Sequence, residues 1–229
     1  AMQGFSRLGA ISMERTAAER RKIGDVELGD VDASGQGGGA IFIRGGQWVS
    51  RSGMVVANTF GDRNGRGVNV AIRDEMRFEG NALLITETYG SGHAGSVALD
   101  VGRLDLSGES YLFSGAYGAG DAGAITVNAR NLFVDGQGSE ASTGIASSPL
   151  AGSTGAGGDM QITVADTLSV INGGVIFAGT FGAGRSGAIT VSARNLLIDG
   201  QGLDTTGISS AAYPGSTGAG GNITISVAD

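Results

Sequence analysis

Three glycine motifs are the first residues in this chain whose types and spacing could do chemistry. Gly118, Gly120 and Gly123 have the spacing G-x-G-x-x-G, which in dinucleotide-binding folds places backbone N–H groups around a pyrophosphate. The same spacing recurs at residues 90–95 and 182–187. A nucleotide site needs this loop once, followed by a helix whose N-terminus holds the phosphate. Each copy here opens a run of alternating apolar residues instead, so the motifs indicate turns of a repeated architecture.

The position inside the glycine motifs holds a candidate metal ligand in two of the three copies. Asp121 fits the acidic position of the calcium-binding repeats found in β-rolls, but His93 and Arg185 stand at that position in the other copies. A ladder of ions would need a carboxylate in every copy. His93 also lacks a set of His, Asp or Glu residues at metal-binding or triad spacing. We therefore predict no metal residues and no cofactor, with calcium at a single turn as an alternative.

Two aspartates could form a pair of acid and base groups. Asp135 and Asp199 occupy equivalent positions two repeats apart, which in stacked strands is about 10 Å. Inverting glycosidases separate their two carboxyl groups by about 6.5–9.5 Å. Both aspartates stand in "DGQG", however, where Asp-Gly is a turn signature, and no third acid or basic partner accompanies them. We therefore predict no catalytic residues, and keep a polysaccharide hydrolase or lyase as the alternative.

Aromatic side chains recur at the end of one apolar run in successive repeats. They could stack on sugar rings or pack over the edge of the fold, and we favour packing. Trp48, in "GGQWVS", presents the same two choices. Ligand-binding residues therefore stay unassigned. The recurring aromatic residues are Phe60, Tyr89, Tyr117, Phe181 and Tyr213.

Composition limits the class of protein. The 229 residues include 44 Gly, 2 Pro and no Cys, with a net charge of −7. Collagen is excluded because there is no G-X-Y period, and the absence of cysteine excludes disulfides and thiolate metal sites. Lys22 is the single lysine, so a nucleic-acid partner is not expected. No apolar run approaches the roughly 20 residues that span a bilayer, so membrane insertion is not expected.

Internal repeats define the architecture. "GAITVNARNLFVDGQG" at 123–138 recurs as "GAITVSARNLLIDGQG" at 187–202, and "GSTGAGGDMQITVAD" at 152–166 recurs as "GSTGAGGNITISVAD" at 215–229. Each unit contains three short runs with period-two alternation, the signal of a strand. Aligned third runs place an aliphatic residue and then two small residues in columns. Such uniform columns predict side chains stacked coil upon coil in a narrow interior. The aliphatic column is Val55, Leu84, Leu112, Ile145, Ile176 and Ile208.

The repeat length predicts an all-β parallel β-helix, a solenoid of about seven coils with three short strands each. Successive aliphatic positions are separated by roughly 28–33 residues, enough for three strands and three turns. Residues 37–229 form the regular repeats, which we expect to be cut in mid-coil at the C-terminus. Residues 1–36 form an irregular N-terminal coil of the same single domain. Within it, residues 16–22 could instead form a short helix.

Three features resemble the filamentous haemagglutinin-like exoproteins of two-partner secretion. They are "AIFIRGGQWVSRSGMVVANTFGD" at 40–62, the segment "STGI" that recurs as "TTGI" and is followed each time by "GSTGAGG", and the "GxGxxGxITV" units. The resemblance covers nearly the whole chain. It implies a right-handed parallel β-helix that is secreted through an outer-membrane transporter partner and serves as a surface adhesin or stalk.

The sequence thus predicts a secreted, non-enzymatic segment of a cell-surface adhesin or filament. The expected partners are the surface of a host or neighbouring cell, including its glycans, and the outer-membrane transporter of the parent protein. We expect a monomer, with end-to-end contacts between rods. The alternatives are the polysaccharide-acting enzyme and a calcium-dependent carbohydrate-binding module.

Overall fold

The computed structural model of the protein describes residues 8–15, 22–23, 26–27, 29–137, 143–203 and 205–228. These residues form strands and turns, and the described part of the chain contains no helix. Accordingly, the described residues include no helix that is long and apolar enough to cross a membrane. A short helix was considered for residues 16–22. Of these, Lys22 lies in a short strand, and residues 16–21 lie outside the described residues.

The first sheet contains eight parallel strands. Its inner members are long because each combines two of the alternating runs seen in the sequence. In order across the sheet, the strands are β1 (Ala10–Glu14), β5 (Ala40–Arg51), β7 (Gly67–Glu79), β9 (Val97–Ser107), β11 (Ile125–Asp135), β13 (Met160–Ile171), β15 (Ile189–Asp199) and β17 (Ile223–Val227).

The second sheet contains seven parallel strands and is formed by the third alternating run. Two further short strands, β2 (Lys22–Ile23) and β3 (Val26–Glu27), pair with each other antiparallel. In chain order, the strands of the second sheet are β4 (Val31–Asp32), β6 (Met54–Val56), β8 (Leu83–Thr88), β10 (Tyr111–Ala116), β12 (Thr143–Pro149), β14 (Gly174–Thr180) and β16 (Gly207–Ala212).

The chain alternates between the two sheets and so winds into a β-solenoid, which confirms the predicted parallel β-helix. It makes about six turns, slightly fewer than the seven expected. In the coils from β5 to β16 the three predicted runs are present, but the first two are joined in one strand. Shifts of register mark the join, for example between Ala129 and Leu132. At the join the alternation skips a residue, which lets the strand bend while the apolar residues on both sides stay on the inner face.

The predicted columns are confirmed by the strand register. Leu112 pairs with Leu84 on one side and Ile145 on the other, and all three side chains are fully buried. In the first sheet, Val127 pairs with Leu99 and with Ile162. Identical or similar side chains therefore lie above one another along the rod and fill its interior.

Trp48 lies inside the rod, in the column of the leucines of the first sheet. Its side chain is fully buried, and its ring meets that of Phe78 edge to face at 4.9 Å between centroids. Its neighbours in register are Ile11 and Met76. The structure therefore settles the two choices for Trp48 in favour of packing, because a fully buried ring cannot stack on a sugar.

Candidate functional site

The glycine motifs lie at corners between the two sheets, and at these glycine corners the backbones of successive coils leave no room for a side chain. A Cβ atom added to Gly118, Gly120 or Gly123 would lie under 3.0 Å from an atom of the preceding coil. The N–H groups that a phosphate would need already serve the fold, since the N–H groups of both Ala119 and Gly120 donate to the carbonyl oxygen of Gly90. Each motif leads into a strand, as predicted. The same close approach occurs at Gly90, Gly92, Gly95, Gly182, Gly184 and Gly187.

Buried hydroxyl groups stabilise these corners from inside the coil. Ser147 accepts a hydrogen bond at 2.8 Å from the backbone N–H of Gly158. Thr180 donates one at 2.6 Å to the carbonyl oxygen of Gly184. Many members of the two small columns are therefore hydroxyl residues, because the buried backbone of the corner needs partners. Equivalent serine bonds join Ser114 to Gly123 and Ser210 to Gly221.

The polar side chains at this corner position in three successive coils serve the backbone of the next coil. Asn64 accepts from the N–H of His93 at 3.0 Å, and Nδ1 of His93 accepts from the N–H of Asp121 at 2.9 Å. Asp121 in turn accepts from the N–H of Ala156 at 2.7 Å, while Arg185 is exposed. Among the described residues, no three His, Cys, Asp or Glu side chains gather where they could hold a metal ion. His93 and Asp121 thus act as acceptors that link coils.

Asp135 and Asp199 stabilise their own turns. Asp135 accepts a hydrogen bond at 2.8 Å from the N–H of Gln137, and Asp199 accepts one at 3.0 Å from the N–H of Gln201. The two glutamines have positive φ values of 56° and 46°. Asp135 also accepts from the side chain of Asn172 at 3.0 Å. The interpretation of "DGQG" as a turn is confirmed, and neither aspartate lines the groove described below.

The recurring aromatic residues form a column over the edge of the coils. The rings of Tyr89 and Tyr117 are stacked at 4.7 Å with an angle of 2° between their planes, and Phe60 lies 5.7 Å from Tyr89. Phe181 and Tyr213 are stacked at 4.4 Å. Both faces of an inner ring such as Tyr89 are occupied by its neighbours, although its side chain is 46% exposed. This favours packing over sugar stacking.

Leu150 interrupts the aromatic column. Its N–H donates to the carbonyl oxygen of Ala116, and the N–H of Phe181 donates to that of Pro149. In a parallel ladder these bonds place Leu150 between Tyr117 and Phe181. The column is therefore two aromatic stacks separated by one aliphatic side chain.

Glu87 is a buried carboxylate beside the first aromatic stack. Its Oε2 atom accepts hydrogen bonds from the hydroxyl of Tyr89 at 2.7 Å and from the amide of Asn58 at 3.3 Å. Burial raises the pKa of the Glu87 carboxyl above its ordinary value of 4.5, while these two hydrogen bonds act in the opposite direction. The pKa of Tyr89 is also raised, first by burial and then by the charge of Glu87. The cluster joins neighbouring coils through a group whose ionised form is disfavoured.

A groove crosses the outer face of the first sheet at the bend in its strands. One half, about 450 Å³ in volume, extends over β9, β11, β13 and β15. The adjoining half, about 390 Å³, extends over β7 and β9 towards Leu8. Asp100, Val101 and Arg130 line both halves, so the groove is continuous. Its size lies within the range of ligand-binding clefts.

The groove carries charges of both signs. Asp100, Arg130 and Arg194 are exposed along it, and Asp166 is half-buried. Within the described residues, none of these four side chains takes part in an ion pair. Arg73, by contrast, is paired with Asp74 at 2.7 Å. The larger half of the groove therefore holds two cations and two carboxylates without an ion-pair partner among the described residues, and Asp166 accepts only a long hydrogen bond of 3.5 Å from Asn195.

Sequence reasoning missed this groove, although the repeats contain a signal for it. In each strand, the last inward-facing residue before the bend, such as Ala129, is followed by an outward-facing residue. From coil to coil this outward-facing residue alternates between a small residue and arginine. The bend lies at the break between the first two alternating runs, and that break does not by itself show that the two runs form one strand. In successive strands from β5 to β15, the alternating residues are Gly46, Arg73, Gly102, Arg130, Ala165 and Arg194.

Comparison of the chain with protein-family models, with curated proteins and with solved structures finds no match in any of the three. Function must therefore be argued from the rod and its surfaces, since a β-solenoid fold is compatible with several activities.

Proposed function

We propose that this chain is a rigid segment of a secreted cell-surface adhesin or filament, in which the β-helix acts as a stalk and performs no catalysis. The observation that supports the proposal is the continuous parallel pairing of strands along both sheets. Each strand from β5 to β15 in the first sheet is hydrogen-bonded to the strands of the coils on both sides. The motifs that resemble two-partner secretion exoproteins agree with this role.

Stiffness follows from the way the coils are joined. To bend or stretch the rod, hydrogen bonds of both sheets between two coils must break together, and the buried columns must open at the same place. The close contacts at the glycine corners add to the stiffness, because they leave no free space between the backbones of neighbouring coils. A stalk needs this resistance to bending and to proteases.

The proposed surroundings follow from the same role. The rod lies outside the cell, and its partners are the surface of a host or neighbouring cell and, for the parent protein, an outer-membrane transporter. Glycans on that surface are the proposed adhesive target. Nucleic acid is not a partner, because the chain has a net charge of −7.

Single-molecule stretching tests the stalk. The 229-residue chain, tagged at both ends, is pulled in an atomic force microscope. We expect a series of ruptures, each releasing about one coil, which is about 100 Å of extended chain. A smooth extension at low force, without such steps, would contradict a rigid rod.

Antibody labelling tests the location. An antibody raised against the chain is applied to intact cells of the producing organism and to permeabilised ones. We expect equal labelling of both, together with antigen in the medium. Labelling that requires permeabilisation would refute the cell-surface role.

A further inference from the structure

We propose that the groove at the bend of the first sheet binds an extended, uncharged glycan chain. The groove is defined by Asp100, Asn128, Arg130, Thr163, Ala165, Asp166 and Arg194, with Arg73 and Gly102 at its other end. This deepens the proposed function, since it rests on a rod that is exposed outside the cell and gives its adhesive target a site.

The balance of charge selects the class of ligand. Arg130 and Arg194 would attract an anionic polymer, but Asp100 and Asp166 line the same half of the groove and would repel it. A cationic polymer would be attracted by the two aspartates and repelled by the two arginines. A neutral polyol can use both signs, because its hydroxyl groups donate to carboxylates and accept from guanidinium groups. Asn128 and Thr163 are exposed between the charges, and their amide and hydroxyl groups can also donate to and accept from the hydroxyl groups of a polyol.

The backbone of the groove favours a glycan over a peptide. A bound peptide usually adds to the edge of a sheet, where unpaired N–H and C=O groups are available. The groove lies on a sheet face, and the strands beneath it are already paired on both sides. Only side chains can meet the ligand, so a peptide could not form here the backbone ladder that gives strand addition its affinity.

The spacing of the arginines suits a polymer with a regular repeat. Arg73, Arg130 and Arg194 stand on every second coil, so their backbones are about 10 Å apart. Gly102 and Ala165, which stand between them, leave the floor open. A distance of this size is close to the length of an extended disaccharide. One arginine per disaccharide is the register we infer for Arg130 and Arg194, while Arg73 is held by Asp74 at the other end of the groove.

Binding to defined polymers tests the proposal. The immobilised protein is titrated with neutral polysaccharides (mixed-linkage β-glucan, xyloglucan and galactomannan), with anionic ones (polygalacturonate and chondroitin sulfate), and with an unstructured Ser/Thr-rich peptide. We expect saturable binding of at least one neutral glycan that changes little between low and high salt. Stronger binding of the anionic polymers or of the peptide, or no binding of any neutral glycan, overturns the proposal.

Three variants locate the binding. Arg130→Gln combined with Arg194→Gln should weaken it by about tenfold or more, because each arginine supplies charge-assisted hydrogen bonds. Ala165→Trp should weaken it similarly by filling the groove without changing its charge. Arg185→Gln, an exposed arginine at the glycine corner, is the control and should have no effect. Equal binding by wild type and the groove variants, with unchanged melting temperatures, overturns the proposed site.

The stretching experiment separates this inference from the proposed stalk. The groove variants should retain the stepwise rupture of the wild type, because no core side chain is changed. A rod that ruptures in steps but binds no neutral glycan refutes the groove alone. A chain that binds glycan but extends smoothly refutes the stalk alone.

Discussion

Ser147 and Gly158 are joined across the inside of a coil by a hydrogen bond of 2.8 Å, in which the serine hydroxyl accepts from the glycine N–H. The serine closes one coil and the glycine opens the next. Both residues are buried. The bond therefore holds the backbone of the corner against a side chain in the interior of the rod.

Ser147→Ala should lower the free energy of unfolding by about 1–3 kcal/mol, because it leaves the buried N–H of Gly158 without a partner. Urea denaturation of the two proteins measures the loss. Ser192→Ala, at an exposed position of β15, is the matched control and should change stability by no more than about 0.5 kcal/mol. Equal effects of the two substitutions would show that the inner hydroxyl is dispensable.

Gly120→Ala tests the close approach of coils at the corners. The new Cβ atom would lie under 3.0 Å from the carbonyl oxygen of Gly92, and both groups belong to backbones that cannot move apart without breaking the ladder. We expect a loss of about 1–3 kcal/mol or more, measured by thermal and urea unfolding. Gly220→Ala is the control, because its nearest neighbour would be 3.6 Å away. If the control destabilises as much, glycine is needed for reasons other than contact between coils.

The sequence predicts the fold well because stacking repeats the same size constraint in every coil. Leu84, Leu112 and Ile145 had to be similar, since each packs against the equivalent side chain of the neighbouring coil, and the register places them as expected. The small columns were predicted for the same reason. The merging of the first two runs was missed, because a register shift such as that between Ala129 and Leu132 looks like a break in the alternation.

The candidate sites were less predictable, since they depend on the shape of the outer surface. The groove arises from the bend, and its arginines are exposed residues without the size constraint of the core. Glu87 stands at an outward position of β8 and is buried only because Asn58 and Tyr89 cover it. The turn role of Asp135 was predictable because it is set by the residues directly after it.

Glu87→Gln tests the buried carboxylate by its dependence on pH. The pKa of Glu87 is raised in the folded protein, so the folded state binds this proton more tightly than the unfolded chain. The wild type should therefore lose stability as the pH rises from 4.5 through the folded-state pKa. Glutamine stays neutral, and its carbonyl oxygen can keep both hydrogen bonds that Oε2 accepts.

We expect the variant to be more stable than the wild type at pH 7, with a difference that shrinks towards pH 4. Urea midpoints of both proteins at pH 4, 5.5 and 7 measure this difference. Asp62→Asn, at an exposed carboxyl of the same region, is the control and should give little change across this range. A wild type that gains on the variant as the pH rises would mean that the ionised carboxylate is the favoured form.

Leu150→Tyr should join the two aromatic stacks into one. Leu150 occupies the position between Tyr117 and Phe181, and the stacked pairs on either side are separated by 4.7 Å and 4.4 Å. A tyrosine ring at this level would meet one aromatic face on each side, and such a pair contributes about 0.5–1.5 kcal/mol beyond its buried area. We expect the melting temperature to rise by about 2–4 °C.

Leu197→Tyr, which adds the same ring at a half-exposed position of β15, should not raise it. A rise of equal size in both variants would reflect added apolar surface alone, and a fall with Leu150→Tyr would mean that the column is interrupted because the corner at residue 150 has no room for a ring.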